Sequence, residues 1–436
     1  MKVLLINSVC GIGSTGRICT DLAQQFEAAG DEVKIAYGRK RTVPEQFQKY
    51  AVRIGTDWDC KMHALQTRLF DTHGFGSKHA TKKFLQWAEE YKPDLVWLHN
   101  IHGYYINVEM LFEWIKKHPE MQVKWTLHDC WAFTGHCSYC SQLRRYPACY
   151  AMSSVRRNFA RKCAAFTGVA NLTLITPSKW LADLVKQSFL KEYPVEVHYN
   201  TIDTTIFKPT PSDFRERYGL QDKIIVLGVA NVWEVRKGLF DFYKLAEMLD
   251  NRYAIVLVGL SEKQTENLPK NIKGIQRTNS PKELAAIYTA AGVFVNPSVE
   301  EIFGMTPVEA QACSTPSIVY EDTACADVAE QNGNKVVPQD VNALYKAITG
   351  EKFMRGEKNH SKKRGCTIVA IPRTNSPQEL AEIYTAADIF ANPTYEDNYP
   401  TVNLEAQACG TKVVTYDTGG CRETLIPSLL GQTAFQ

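Results

Sequence analysis

The sequence predicts an α/β protein: two successive doubly wound domains facing across a cleft, followed by a partial α/β copy of the second. Three observations carry that prediction. Short apolar runs alternate with amphipathic stretches through the first 200 residues, the pattern of parallel strands covered by helices on both faces. The alternation restarts after Asn200–Ser212, a mostly polar stretch containing Pro209 and Pro211. Residues 274–325 then recur without a gap at 370–421, with 26 identities in 52 positions, a duplication of less than one domain.

In the first domain, residues 1–199, Val3–Ile6 reads as a buried strand. A Gly-rich turn follows, then a helix through Leu22 and Phe26 and a strand at Val33–Tyr37. Further strands are expected at Leu95–Leu98, Val123–Leu127, Leu172–Ile175 and Val195–His198. Ser178 is placed to cap a helix carrying Trp180, Leu181 and Leu184. In the second domain, residues 200–350, Ile224–Val229 reads as a strand, Gly238–Leu249 as a helix and Ile255–Val258 as a strand. Pro281–Ala291, Val293–Val295, Thr306–Cys313 and Ser317–Val319 continue the alternation. Residues 351–436 hold a connector, with six Lys or Arg against two Glu over 351–365, and then the repeat. The repeat has no counterpart of strand 224–229 or helix 238–249, so it is part of a domain only.

Composition narrows the function classes. The 436 residues are 44% apolar and 22% charged, which excludes a disordered chain or a coiled coil. A net charge of +3 gives no broad attraction to nucleic acid. Thirteen cysteines spread over so long a chain read as reduced thiols. Only four consecutive apolar residues follow Lys2, and no run approaches a membrane span. The expected location is the cytoplasm.

Gly11, Gly13 and Gly16 form G-x-G-x-x-G between a strand and a helix. Such a turn lets backbone approach a phosphate, and the helix start favours an anion. A dinucleotide site then needs an acid ending the second strand, where the chain has Gly38, Arg39, Lys40 and Arg41. Arginines there suit NADP, so an NADP-dependent oxidoreductase is one reading. A tight turn lining the interdomain cleft is the other.

The second domain holds a richer constellation. Glu301 and Glu309 lie eight residues apart, the first in a loop and the second on the following helix, after Asn296-Pro297-Ser298 at the carboxyl edge of the sheet. Carboxylates there can accept hydrogen bonds from sugar or ribose hydroxyls; two solvated acids at a helix start are the plainer alternative. Arg236-Lys237-Gly238 opens a helix upstream, placing two cations where a diphosphate would bind.

Taken together, Asn296-Pro297-Ser298, Glu301-Ile302-Phe303-Gly304, Glu309-Ala310-Gln311-Ala312 and the upstream Arg236-Lys237-Gly238 resemble the retaining family 4 glycosyltransferases of the GT-B fold. Asn200-Thr201-Ile202-Asp203 through Phe207-Lys208-Pro209 is similar to that family's linker. Thr126–Cys137 resembles the branch that builds bacterial exopolysaccharides and capsules, the colanic-acid type. The resemblance covers residues 1 to about 350, and 370–421 resemble the motif region again.

The resemblance implies two Rossmann-like domains and transfer of a sugar from a UDP- or GDP-linked donor, with retention, to a growing oligosaccharide or polysaccharide. That acceptor would be lipid-linked, and the protein a peripheral visitor to the inner face of the membrane. No metal or other cofactor is implied. Glu301 would contact donor-sugar hydroxyls and Glu309 the ribose. Lys237 and Arg236 would hold the diphosphate, Phe303 and Gly304 would line the donor loop, Gly13 and Gly16 would let the facing loop approach the donor, and His128 would stand near the reaction centre. Departures are visible. Asn231 replaces an arginine usual six residues before the lysine, and Thr323-Ala324-Cys325 replaces a Gly-Gly loop. In the repeat, Asp397 replaces the first glutamate while Gly410, Gly419 and Gly420 follow the family pattern. The first copy, continuous with Lys237, is expected to form the donor pocket. A sugar-nucleotide-binding protein that the duplication has deprived of transfer activity is a further reading.

Two other patterns stand apart. Cys137, Cys140 and Cys149, with Cys130 or His136, read either as buried thiols or as a zinc site. Arg144–Lys162 carries six Lys or Arg and no acid, with Val155, Phe159, Cys163 and Phe166 on one helical stripe. That is either a helix for anionic lipid or a surface helix packed on the sheet.

Overall fold

The computed structural model describes residues 1–39, 42–139, 154–331, 334–350, 376–387, 389–392, 401–409, 411–416, 424 and 433–435. Seven parallel strands form the first sheet: β1 (Lys2–Asn7), β2 (Glu32–Tyr37), β3 (Ala51–Arg53), β4 (Leu95–Leu98), β5 (Gln122–Thr126), β6 (Leu172–Thr176) and β7 (Val195–Val197). Their order is β3-β2-β1-β4-β5-β6-β7. Leu4 and Ile6 join the core on one face, with Val96 and Leu98; Val3 and Leu5 join the other, with Val33 and Ile35. The period-2 alternation of a strand thus feeds two cores, and both faces must be apolar.

The second sheet contains β8 (Ile224–Val229), β9 (Tyr253–Val258), β10 (Ile272–Ile275), β11 (Val293–Asn296), β12 (Ser317–Tyr320) and β13 (Lys335–Val337), in the order β10-β9-β8-β11-β12-β13, again parallel. Val226, Ile255 and Leu257 face one core, and Ile225, Leu227 and Val256 the other. In each sheet the winding direction reverses at one point, between β1 and β4 and between β8 and β11. Loops leaving the carboxyl ends of those strand pairs border a crevice where such folds bind ligands.

Both sheets belong to one compact unit, Met1–Glu357; Lys358–Gln436 form another. Within the first unit, the Ser178 hydroxyl donates to the Ile302 carbonyl at 2.7 Å and the Trp180 amide to Asp327 at 2.8 Å, tying the two sheets' loops together. Ser178 also caps its own helix, Lys179–Lys186, as the sequence predicts.

The second unit repeats local structure faithfully. Helix Pro377–Ala386, β14 (Ile389–Asn392), helix Thr401–Ala408 and β15 (Lys412–Tyr416) reproduce Pro281–Ala290, β11, Met305–Ala312 and β12, and β16 (Thr433–Phe435) pairs with β15. Ser376 caps its helix as Ser280 does. The Thr411 hydroxyl donates to the Tyr384 carbonyl as Thr315 does to Tyr288.

The reading of a surface helix packed through its apolar stripe holds only in part. Of Val155, Phe159, Cys163 and Phe166, the helix Val155–Phe166 fully buries Phe166 alone, and it buries Asn158 and Lys162 beside it. Phe159 is exposed. The Lys162 ammonium lies 3.4 Å from the Trp131 ring centroid and donates to the carbonyls of Trp131 and Thr134, partners that offset the cost of burying a charge. Arg161 pairs with Glu109 in two bonds of 2.6 and 2.7 Å. The part of the basic stretch before Ser154 lies outside the described residues.

Candidate functional site

Lys237 and Glu301 arrive from the two loops at the second sheet's reversal point. Lys237 ends a 3-10 turn after β8, and Gly238, at φ +72°, begins the helix Leu239–Met248. A Cβ at Gly238 would lie 2.3 Å from the Pro297 carbonyl oxygen. Glycine here therefore lets the β8 loop press against the β11 loop. The Lys237 ammonium forms an ion pair with Glu301, and the Ser298 hydroxyl donates to the same carboxylate oxygen at 3.3 Å. Burial, aided by the charge of Arg236, lowers Lys237 to about 8, so it remains charged at neutral pH. Arg236 pairs with Glu234 at 3.1 Å and lies 4.2 Å from the Tyr139 ring of the first sheet's side.

Past Glu301, Phe303 is buried, and Gly304, at φ +86°, starts the helix Met305–Ala312. That helix has no side-chain cap and no acid in its first turn, so its leading amides suit an anion. Glu309, one turn in, accepts from the Tyr288 hydroxyl at 2.9 Å. Burial raises its pKa against the lowering effect of that bond.

At the first sheet's reversal point, Gly13, at φ +67°, begins the helix Gly13–Ala28, again without a side-chain cap or first-turn acid. Space around a Cβ at Gly13 is open, whereas one at Gly16 would meet the Gly11 amide nitrogen at 3.2 Å. The Gly11 amide in turn donates to the Gly16 carbonyl. Gly16 is thus a packing glycine and Gly13 an exposed one.

Past the carboxyl ends of the neighbouring strands β4 and β5, His128 Nε2 lies 3.1 Å from His99 Nδ1, the two rings stacked with centroids 5.4 Å apart. Burial pulls His128 down to about 4 and His99 well below its ordinary value. Two neutral rings then share one proton, one donating and one accepting. His102 Nε2 meets Asp129 at 3.0 Å, and His73 packs against His102, Trp131 and His136. Tyr139 feels both Arg236 and Asp129, so the segment carrying His128 stands within electrostatic reach of the Arg236–Lys237 loop.

The structure thus joins Lys237 and Glu301 directly, places Arg236 next to them with its guanidinium on Glu234 and the Glu300 carbonyl, and sets Glu309 one helical turn beyond Gly304. Sequence reasoning missed His99, His102, Tyr139 and Tyr288; it named Ser298 within the Asn296-Pro297-Ser298 motif but not its bond to Glu301. His99-x2-His102 directly follows β4, a position that could have singled it out. Cys137 is buried and His136 is bound to Asp71; Cys140 and Cys149 lie outside the described residues. Among the described residues, no group of three or more metal-ligating side chains converges. Lys40 and Arg41 also lie outside them, as do Asp397, Gly410, Gly419 and Gly420.

Comparisons with known proteins bear on this geometry. Sucrose-phosphate synthase from Thermosynechococcus elongatus superimposes with a TM-score of 0.58 at 18% identity, over 80% of this chain and 88% of that one. WaaG, a glycosyltransferase involved in lipopolysaccharide biosynthesis, gives 0.54 at 16%, over 80% and 90%. Anabaena Alr3699/HepE in complex with UDP-glucose gives 0.53 at 16%, over 80% and 88%. These likenesses establish the GT-B fold. Among curated relatives, the alpha-galactosylglucosyldiacylglycerol synthase of Streptococcus pneumoniae is 30% identical over 208 residues, 44% of this chain and 51% of its own. The putative colanic acid biosynthesis glycosyl transferase WcaC of Escherichia coli is 23% identical over 209 residues, 42% and 50%. The D-inositol 3-phosphate glycosyltransferase of Corynebacterium jeikeium is 51% identical over 55 residues, 13% of each. The chain spans about half or less of the length of these curated relatives. The family described as glycosyltransferase family 4 matches residues 15–206. The family described as glycosyl transferases group 1 matches 212–365 and, across the repeat, 348–431, which together exceed half the sequence and set the oxidoreductase reading aside: the chain belongs to the glycosyl transferases group 1 family.

Proposed function

We propose that this protein transfers a sugar from a nucleotide-linked donor to an oligosaccharide or polysaccharide acceptor, with retention at the anomeric carbon. The observation that carries the reading is the Lys237–Glu301 pair at the reversal point of the second sheet, beside an uncapped helix start. In this reading the diphosphate lies over the first turn of Met305–Ala312. Lys237 and Arg236 neutralise the charge that grows on it as the glycosidic bond breaks. The donor exchanges part of the Glu301–Lys237 bond for its own: sugar hydroxyls donate to Glu301, and phosphate oxygens accept from Lys237. Glu309, oriented by Tyr288, accepts from ribose hydroxyls. His128, neutral and held by His99, offers a hydrogen bond to donor or acceptor without adding charge. Gly13 leaves room for the donor beneath the first domain's turn.

The relatives' names, a diacylglycerol-linked glycolipid synthase and a colanic acid enzyme, support a lipid-linked or polysaccharide acceptor. The full chain incubated with UDP- and GDP-linked sugars is expected to release nucleotide faster when lipid-linked oligosaccharide is added, and to give a product retaining the donor's anomeric configuration by NMR. Donor binding without transfer to any such acceptor would favour the binding-only reading. Absence of nucleotide-sugar binding would refute both.

A further inference from the structure

We infer that the outward face of the helix Asp57–Phe70 docks on an anionic lipid bilayer. Trp58, Leu65, Leu69 and Phe70 are 69%, 48%, 50% and 56% exposed. Trp58, Met62, Leu65 and Leu69 recur at helical spacing and form one stripe, which Phe70 closes at the C-terminal end. Single exposed apolar residues are ordinary, but such a concentration marks an interaction surface. Its opposite face is the packed one: His63 and Thr67 are buried.

The charges select the partner. Lys61 and Arg68 flank the stripe and are exposed. Arg157 Nη2 donates to the Phe70 carbonyl at 3.0 Å, bringing the basic helix Val155–Phe166, with exposed Arg156, Arg157 and Phe159, beside the stripe's end. The helix's own acids are turned to other work: Asp57 pairs with Arg53, and Asp59 closes the capping box with Thr56. An apolar stripe bordered by cations fits the interface of a negatively charged membrane.

The placement also gives the docking a purpose, a point that rests on the function proposed above. His63, on the inward face, bonds Ser77 at 2.9 Å and packs on Tyr104; Tyr104 packs on His73, His73 on His102, and His102 bonds Asp129. The helix that would lie on lipid is therefore the outer wall of the region holding His128, where a membrane-anchored acceptor would enter.

The full chain should co-sediment with phosphatidylcholine vesicles containing phosphatidylglycerol, not with phosphatidylcholine alone, and the binding should fade as salt is raised. Its tryptophan emission should shift to shorter wavelength on binding, a shift lost in Trp58→Phe. Leu65→Glu with Leu69→Glu, and Lys61→Glu with Arg68→Glu, should each weaken binding by at least about tenfold with unchanged circular dichroism. Lys263→Glu, exposed on the second domain, should leave it unchanged. Binding indifferent to anionic lipid, no Trp58 shift, or a dimer that the stripe variants dissociate would overturn the proposal. Vesicle binding with no nucleotide-sugar binding would overturn the proposed function while leaving the docking surface standing.

Discussion

The ammonium of Lys237 closes on the carboxylate of Glu301, joining the loops that leave β8 and β11. Each charge is largely removed from water, with side chains 20% and 12% exposed, so neither is well tolerated alone. Lys237→Ala is expected to cut kcat/KM by about 10²–10³-fold, and Glu301→Ala to act chiefly on kcat. Each should also cost about 1–3 kcal/mol of stability by stranding its partner. The double variant should cost less than the sum, as read by denaturant titration. Additive losses would mean that the pair is not coupled.

Glu309 and Tyr288 make the next test. Tyr288→Phe removes a buried donor and should weaken nucleotide binding about three- to tenfold, with a stability loss of about 1 kcal/mol. Glu309→Ala should weaken it further, since the bonds lost are charge-assisted. Equal affinity in all three proteins would remove Glu309 from the site.

Acid should destabilise the fold through its buried histidines. Burial lowers His63 and His128 to about 4, below the free value near 6.5. Between those values the unfolded chain binds more protons, so stability falls as pH drops from about 6.5 towards 4. At about 1.4 kcal/mol per pH unit, each ring contributes at most ~3 kcal/mol of that loss. The thermal midpoint should therefore fall over this window, and His128→Gln should flatten the slope. Activity between pH 6 and 8 should show no step from His128 itself. Lys237 predicts a different limb: donor affinity should decline above about pH 8 as its proton leaves.

The repeat carries its own prediction. Tyr384 and Glu405 hydrogen-bond, in the positions corresponding to Tyr288 and Glu309. The duplicated sequence, which matches only 274–325, nevertheless includes no counterpart of residues 224–229 or of Arg236–Lys237. Removing 366–436 is expected to leave nucleotide-sugar affinity within about threefold of the parent. Loss of binding would place part of the donor site in the second copy.

Much of this architecture was readable because parallel strands buried on both faces are continuous apolar runs. Leu95–Leu98 and Ile224–Val229 stand where expected to the residue. The short edge strands β3, β10 and β13 were not seen, since three or four residues with partial exposure leave no periodic signal. The burial of Lys162 is not legible in the sequence because cations are usually solvated, and it depends on the Trp131 ring and on the carbonyls of Trp131 and Thr134. Glu301 and Lys237 could be named from spacing and resemblance. Their direct contact could not, because it depends on how closely Gly238 lets two loops approach. His99 and Tyr139 went unnoticed for a similar reason: each acquires its role from a partner far along the chain.

The most direct test is calorimetric titration of UDP- and GDP-linked sugars into the full chain, Lys237→Ala and Glu405→Ala in parallel. The first-copy donor site predicts saturable binding by the parent, at least about tenfold weaker binding by Lys237→Ala, and no change in Glu405→Ala. Binding that survives in Lys237→Ala but is lost in Glu405→Ala would contradict it.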